Sequence, residues 1–282
     1  MISKGRFLNI LRRAAVVVAI SLTLFSVVFY YQQGVLIFQT ERELTRDPSA
    51  LGWAFEDVSL PVMGETTHGW FMPLESARGV VLFCHGNGGN VAMHLDGTRL
   101  FRALGYSTLT FDYGGYGRST GRPSETRMYA DSLAMWTYVT ETRRIPANHI
   151  IIWGQSFGGA AACDLGARVQ PAAVVLESTF LSMADCVFGE RWALPGDWLL
   201  RYHFRNVDKV GRIHAPLLVI HSPDDTLFPI RHGRGLYERA NDPKRFIEKR
   251  GDHYDTAIPN KRLPEDVKKF LEPLLVDAAE AS

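Results

Sequence analysis

Five short runs of the chain are apolar at almost every position: GVVLFCHG from Gly79, STLTFDY from Ser107, HIIIWGQS from His149, AAVVLES from Ala172 and APLLVIHS from Ala215. A strand with one wet face alternates, whereas a parallel strand covered on both faces is apolar throughout. Helix-length segments mostly separate these runs, so the pattern predicts a parallel sheet sandwiched between helices. The predicted helices are Val91 to Leu104, Ser124 to Thr140, Phe157 to Val169, Arg231 to Asn241 and Pro264 to Leu275. AFEDVSLPV and HGWFMPL, from Ala54 and His68, come before them and read as an antiparallel start to the sheet.

Two segments break this rhythm. Ala14 to Tyr31 is an uncharged run of 18 residues behind Lys4, Arg6, Arg12 and Arg13. As a helix it would be about 27 Å long, close to the roughly 30 Å bilayer core. Tyr30 and Tyr31 stand where an interface anchor belongs. The reading is a single-pass signal anchor with the basic flank cytoplasmic and the remaining chain outside the cytoplasm. Its alternative is a signal peptide, cleaved to leave a secreted protein. The expected organisation is therefore a basic flank and anchor over 1–31, a linker over 32–53, a folded domain over 54–276 and a short tail over 277–282. The second break is the interval from 178 to 215, about 38 residues and more than a crossover needs. It carries Phe180, Phe188, Trp192, Trp198, Tyr202 and Phe204, and reads as a small helical lid over an apolar pocket.

Composition narrows the function. Apolar residues make up 46% of the chain, enough for a sizeable core. A net charge of +1 gives no electrostatic case for nucleic-acid binding. The three cysteines are too few and too scattered for a disulfide framework or a zinc site.

The candidate chemistry lies where runs end. Gly154-Gln155-Ser156-Phe157-Gly158 is a G-x-S-x-G between a strand and an Ala/Gly-rich helix. A turn that tight strains its middle residue, and flanking glycines remove the Cβ atoms that would clash. Ser156 is the candidate nucleophile. A serine hydroxyl needs a base, and the base needs a carboxylate to orient it, in the chain order Ser, Asp or Glu, His. His253, in the loop GDHYD, is the candidate base; His232, at the start of a helix, is less well placed. Asp225 is the candidate acid, with its neighbour Asp224 as the alternative. Glu177 reads as a loop fastener, His85 as a loop brace and Asp112 as structural. The oxyanion of an acyl-transfer reaction needs amide donors, and Asn87 in CHGNGGN and Phe157 after the serine supply the pair.

The motifs HGNGGN, FDYGGYGRSTGRPSE, GQSFGG, HSPDDTLFP and GDHYD together resemble the alpha/beta-hydrolase superfamily from about Ala54 to Leu275. The resemblance implies a mostly parallel sheet of the eight-stranded type covered by helices. Within the superfamily the chain looks like the small-lid, membrane-anchored branch related to serine aminopeptidases and monoacylglycerol lipases. The family pattern H-G-x-x-D-x-x-x-P places its aspartate on Asp225, G-x-H falls on His253, and the first-loop donor falls on Asn87. Ser222 and Asp252 depart from the pattern, standing where glycine is usual.

The expected activity is serine-dependent cleavage of a carboxylic ester or thioester through the triad Ser156, His253 and Asp225, with no cofactor and no metal implied. The expected substrate is a small acyl ester or lipid-like molecule. A peptidase or amidase is the rival, with Glu190 or Asp197 to recognise a free amine. A non-catalytic binding protein on the same fold is the rival from another class.

Overall fold

The computed structural model describes residues 4–189, 196–253 and 262–274. Eight strands form one sheet: β1 (Glu56–Val62), β2 (Glu65–Met72), β3 (Val80–Cys84), β4 (Ser107–Phe111), β5 (Ile150–Gln155), β6 (Ala173–Glu177), β7 (Leu217–His221) and β8 (Lys244–Glu248). Their order is β1-β2-β4-β3-β5-β6-β7-β8. The β1–β2 and β2–β4 pairings are antiparallel and the rest parallel.

The continuous apolar runs became the interior strands, and β3, β4, β6 and β7 are buried at every residue. Alternate side chains serve two cores. Leu82, Ile152, Leu176 and Val219 face one; Phe83, Trp153, Val175 and Leu218 face the other. At the edges, β1 and β8 mix exposed and buried positions, as strands with one unpaired side do.

The helices are α1 (Lys4–Ile37), α2 (Arg99–Ala103), α3 (Glu125–Thr137), α4 (Gly158–Gly166), α5 (Met183–Phe188), α6 (Arg231–Arg239) and α7 (Leu263–Leu271). The helix expected from Val91 is mostly turns and a 3-10 segment, Leu95–Thr98, with α structure only in α2. The amides at its start are taken by side chains, that of Val91 by Asp112 at 2.9 Å and that of Ala92 by Asn90 at 3.0 Å, as first-turn amides commonly are. In the described part of the lid, α5 is capped by Ser182 and ended at Gly189 with φ 71°, and Gly196 and Asp197 are helical as well. Two 3-10 turns follow, Asn206–Asp208 and Val210–Arg212. Trp192 and Glu190 lie outside the described residues, as do Leu275 and the tail over 277–282.

The apolar N-terminal run is helical and continues past Tyr31 to Ile37. Its most apolar window, with a mean hydropathy of 2.2, is not covered by the rest of the protein. Contact begins near its end. Phe38 is buried, edge-on to Phe157 at 5.7 Å and to Tyr202 at 5.1 Å. The stretch read as a linker is fastened over the loop after β3: Thr40 bridges to Gly89, and Asn90 Nδ2 donates to the carbonyls of Glu41 and Glu43.

Where β5 meets α4 there is no space left. A Cβ on Gly158 would sit 2.0 Å from the Cys84 carbonyl oxygen, and one on Gly154 would sit 2.5 Å from the Ala162 Cβ. Since the obstacle to Gly158→Ala is backbone, we expect this substitution to destabilise the protein by about 1–3 kcal/mol. Denaturant unfolding of the full-length chain in detergent micelles checks it; an unchanged midpoint would contradict the packing described.

Candidate active site

Ser156 is the single residue between β5 and Phe157, from which α4 begins. Its φ is 53°, in the left-handed region that non-glycine residues seldom occupy. Two backbone bonds hold the turn: the Ser156 amide donates to the Glu177 carbonyl at 2.8 Å, and the Gly159 amide to the Ser156 carbonyl at 3.0 Å. The side chain is thereby directed at the ends of strands on the far side of β6.

There it meets His253. Ser156 Oγ lies 2.8 Å from His253 Nε2, and His253 Nδ1 lies 2.8 Å from Asp225 Oδ2. The other carboxylate oxygen accepts the amides of Leu227 at 3.0 Å and Phe228 at 2.7 Å, so Asp225 cannot turn away. Burial pushes the Asp225 carboxyl up, but hydrogen bonds from His253 and the Phe228 amide outweigh it and leave the group below its ordinary range. An ionised carboxylate on Nδ1–H leaves the Nε2 lone pair facing the serine hydroxyl.

Asp224 is exposed on the same turn, and it is Asp225 that the structure brings to His253. The two departures from the family pattern fasten the acid loop to the base loop. Ser222 Oγ donates to the Gly251 carbonyl at 2.5 Å, and Asp252 Oδ1 accepts the Thr226 amide and hydroxyl, both at 2.8 Å. Glu177 pairs with Lys249 at 3.1 Å and accepts the Trp153 indole at 3.0 Å, which joins β5, β6 and the end of β8. His232 is buried in α6, where its Nδ1 accepts the Leu181 amide at 3.3 Å. His85 is fully buried, donates from Nδ1 to the Gly86 carbonyl at 2.7 Å and stacks on His94. Burial, followed by the neighbouring His94, holds it well below the ordinary histidine range, so it is a neutral brace.

Asn87 and Phe157 both line the cavity at Ser156. The Asn87 side chain holds the first loop in place: Nδ2 donates to the Ile37 carbonyl at 2.6 Å, and Oδ1 accepts the Tyr116 hydroxyl at 2.6 Å and the Gln39 amide at 3.2 Å. The cavity measures about 660 Å³. Phe180, Met183 and Leu200 from the lid region line it, and so do Phe29, Gln33 and Leu36 from α1. These α1 residues are absent from the sequence-based site. The polar pair Gln32–Gln33, set directly behind the two tyrosines, was the signal for them. Asp197 is outside the cavity lining and bonds His203 Nδ1 at 3.0 Å. Among the described residues, no group of three or more His, Cys, Asp or Glu side chains is placed to hold a metal ion.

A family model described as the alpha/beta hydrolase fold matches residues 79–209. Alpha/beta hydrolase domain-containing protein 17B of Homo sapiens is 34% identical over 210 residues, 72% of this chain and 69% of that protein. The uncharacterized protein Rv2307c of Mycobacterium tuberculosis is 32% identical over 266 residues, 89% of this chain and 95% of its own. Among solved structures, the Pyrococcus furiosus esterase Pf2001 superposes with a TM-score of 0.70 at 18% identity, covering 84% of this chain and all of that one. At that identity the likeness is one of fold.

Asp112 sits behind the first loop. Burial raises its carboxyl from an ordinary 3.8 to about 7, against the opposing bonds from the Val91 and Arg118 amides. The folded state holds this proton more tightly than the unfolded chain does. The associated stability is therefore complete below about pH 4 and is lost as pH rises through about 7. Asp112→Asn keeps an acceptor for Val91 and removes the titration. Urea unfolding at pH 5 and pH 8 should show a smaller loss of stability in this variant than in the wild type. Equal losses would place the proton elsewhere.

Proposed function

The chain belongs to the alpha/beta hydrolase family, and from that premise we propose that it is a serine hydrolase that cleaves a carboxylic ester or thioester. The observation that supports this most is the unbroken line Ser156 Oγ, His253 Nε2, His253 Nδ1, Asp225 Oδ2, with 2.8 Å at both junctions. In this reading Ser156 Oγ attacks the substrate carbonyl while its proton passes to His253 Nε2. Asp225 stays ionised and stabilises the imidazolium. The amides of Asn87 and Phe157 hold the oxyanion. His253 then returns its proton to the leaving alcohol or thiol. Water, deprotonated by the same nitrogen, releases the acid from the acyl-enzyme and regenerates the serine.

One observation supports the ester reading over a peptidase. Asp197, one of the two acids that could have recognised a free amine, is engaged by His203 and lies outside the cavity. The domain over 54–276, with its lid at 178–215, fits the small-lid, membrane-anchored branch. We read α1 as a retained single-pass anchor with the domain outside the cytoplasm. Two bonds from α1 to the lid support retention: Gln33 Nε2 donates to the Leu199 carbonyl at 2.8 Å, and Gln33 Oε1 accepts the Arg201 amide at 2.7 Å.

A fluorophosphonate probe should label the wild-type protein and leave Ser156→Ala unlabelled; a folded wild type that stays unlabelled would sink the proposal. His253→Ala should lower ester hydrolysis by about 10³-fold or more. Asp225→Asn should be severe and Asp224→Asn mild, and the reverse order would reassign the acid. For the anchor, the protein should stay in the membrane fraction through carbonate washing. A soluble product about thirty residues shorter would mark cleavage instead.

A further inference from the structure

The end of α1 does more than hold the domain near a membrane. Taking Ala14 to Tyr31 as the span, a rise of about 1.5 Å per residue puts Gln33 roughly 3 Å and Leu36 roughly 8 Å beyond its end. The headgroup layer is about 5–7 Å thick on each side. Phe29, Gln33 and Leu36 all line the cavity that holds Ser156. One wall of that cavity therefore stands at the depth of the lipid headgroups, with Phe29 still at the edge of the hydrocarbon.

The surface around the cavity agrees. Outside α1, the exposed large apolar side chains among the described residues are Met63, Met93, Leu133, Val187, Trp198 and Leu227. Met93, Val187 and Leu227 line the cavity. Trp198 precedes Leu199, whose carbonyl receives the Gln33 side chain. Three of these six side chains thus border the cavity, and Trp198, beside the α1 contact, is of a type suited to the interface. The lining among the described residues contains no Asp, Glu, Lys or Arg. That suits a neutral hydrocarbon chain and gives a charged acyl group no partner.

Depth is also fixed relative to the chemistry. The Gln33 bonds tie α1 to the lid, and Asn87 Nδ2 ties the Ile37 carbonyl to the first loop at 2.6 Å. We propose that the cavity opens onto the bilayer, with the end of α1 as one wall and Met93, Val187, Trp198 and Leu227 resting in the interface, and that its substrate is a membrane-resident long-chain acyl ester whose chain passes along Phe29 and Leu36 to reach Ser156. This rests on the serine-hydrolase reading and adds to it the substrate class and the route of entry. Leu36 is a specificity determinant: it is 64% exposed, so a larger side chain there narrows the passage without disturbing the core.

The test uses the full-length chain in phosphatidylcholine vesicles with 4-nitrophenyl butyrate and 4-nitrophenyl palmitate. Leu36→Trp should lower the palmitate-to-butyrate rate ratio at least tenfold, while Leu36→Ala should not lower it. A palmitate-to-butyrate ratio unchanged in Leu36→Trp overturns the inference, provided butyrate is hydrolysed and the fluorophosphonate probe labels Ser156. If the folded protein neither turns over butyrate nor takes the label, the hydrolase reading falls and this one with it. A second measurement does not depend on activity. Brominated phosphatidylcholine should quench more tryptophan emission in the wild type than in Trp198→Phe, and equal quenching overturns the seating of the mouth in the interface.

Discussion

The backbone strain at Ser156 is the constraint around which the rest is arranged. A serine at φ 53° is unfavourable by itself and persists only where its surroundings leave no other conformation. Those surroundings are unusually close. Gly158 approaches the Cys84 backbone, Gly159 approaches Thr179, and the Ser156 amide is held by the Glu177 carbonyl. Strands β3, β5 and β6 thus all press on one turn, and the residues that press hardest have no side chain. Strain in the turn and tight packing of α4 are one feature seen from two directions.

The partners of Ser156 are secured differently, by polar cross-links between loops. Asp225 and His253 come from the ends of β7 and β8, adjacent strands whose loops could drift apart. Ser222 reaches across to the Gly251 carbonyl, and Asp252 takes the Thr226 amide and hydroxyl. Glycine at these positions would make neither side-chain bond. The departures from the family pattern accordingly trade backbone freedom for rigidity, and the 2.8 Å distances on both sides of His253 are the result.

A third kind of fastening joins the domain to α1. Gln33 bonds the backbone on either side of Leu200, Phe38 inserts among Phe157, Tyr202 and Phe204, and Asn87 bonds both Ile37 and Gln39. The described part of the lid, the first loop and the end of α1 are therefore bonded to one another. In the proposed reading the membrane is a boundary of the site as well as its address.

The sequence by itself determined the sheet, because an apolar run buried on both faces can hardly be anything else. It also determined where the G-x-S-x-G turn falls and the order in which acid and base follow, while the strain at that turn is held by Cys84, Thr179 and Glu177 from elsewhere in the chain. Local pattern was a weaker guide around Val91, where turns and a 3-10 segment stand in place of the expected α-helix. The sequence already favoured Asp225 over Asp224, and the tertiary structure sets Asp225 against His253 and leaves Asp224 exposed. Only the tertiary structure brought Phe29, Gln33 and Leu36 to the cavity that holds Ser156, a residue more than a hundred positions away from them in sequence. By themselves the two glutamines after the apolar helix read as the start of a linker, and only Gln33 is buried. What it meets is set by the path of the whole chain, because a hydrogen bond between Gln33 and Leu199 exists only once everything between them has folded.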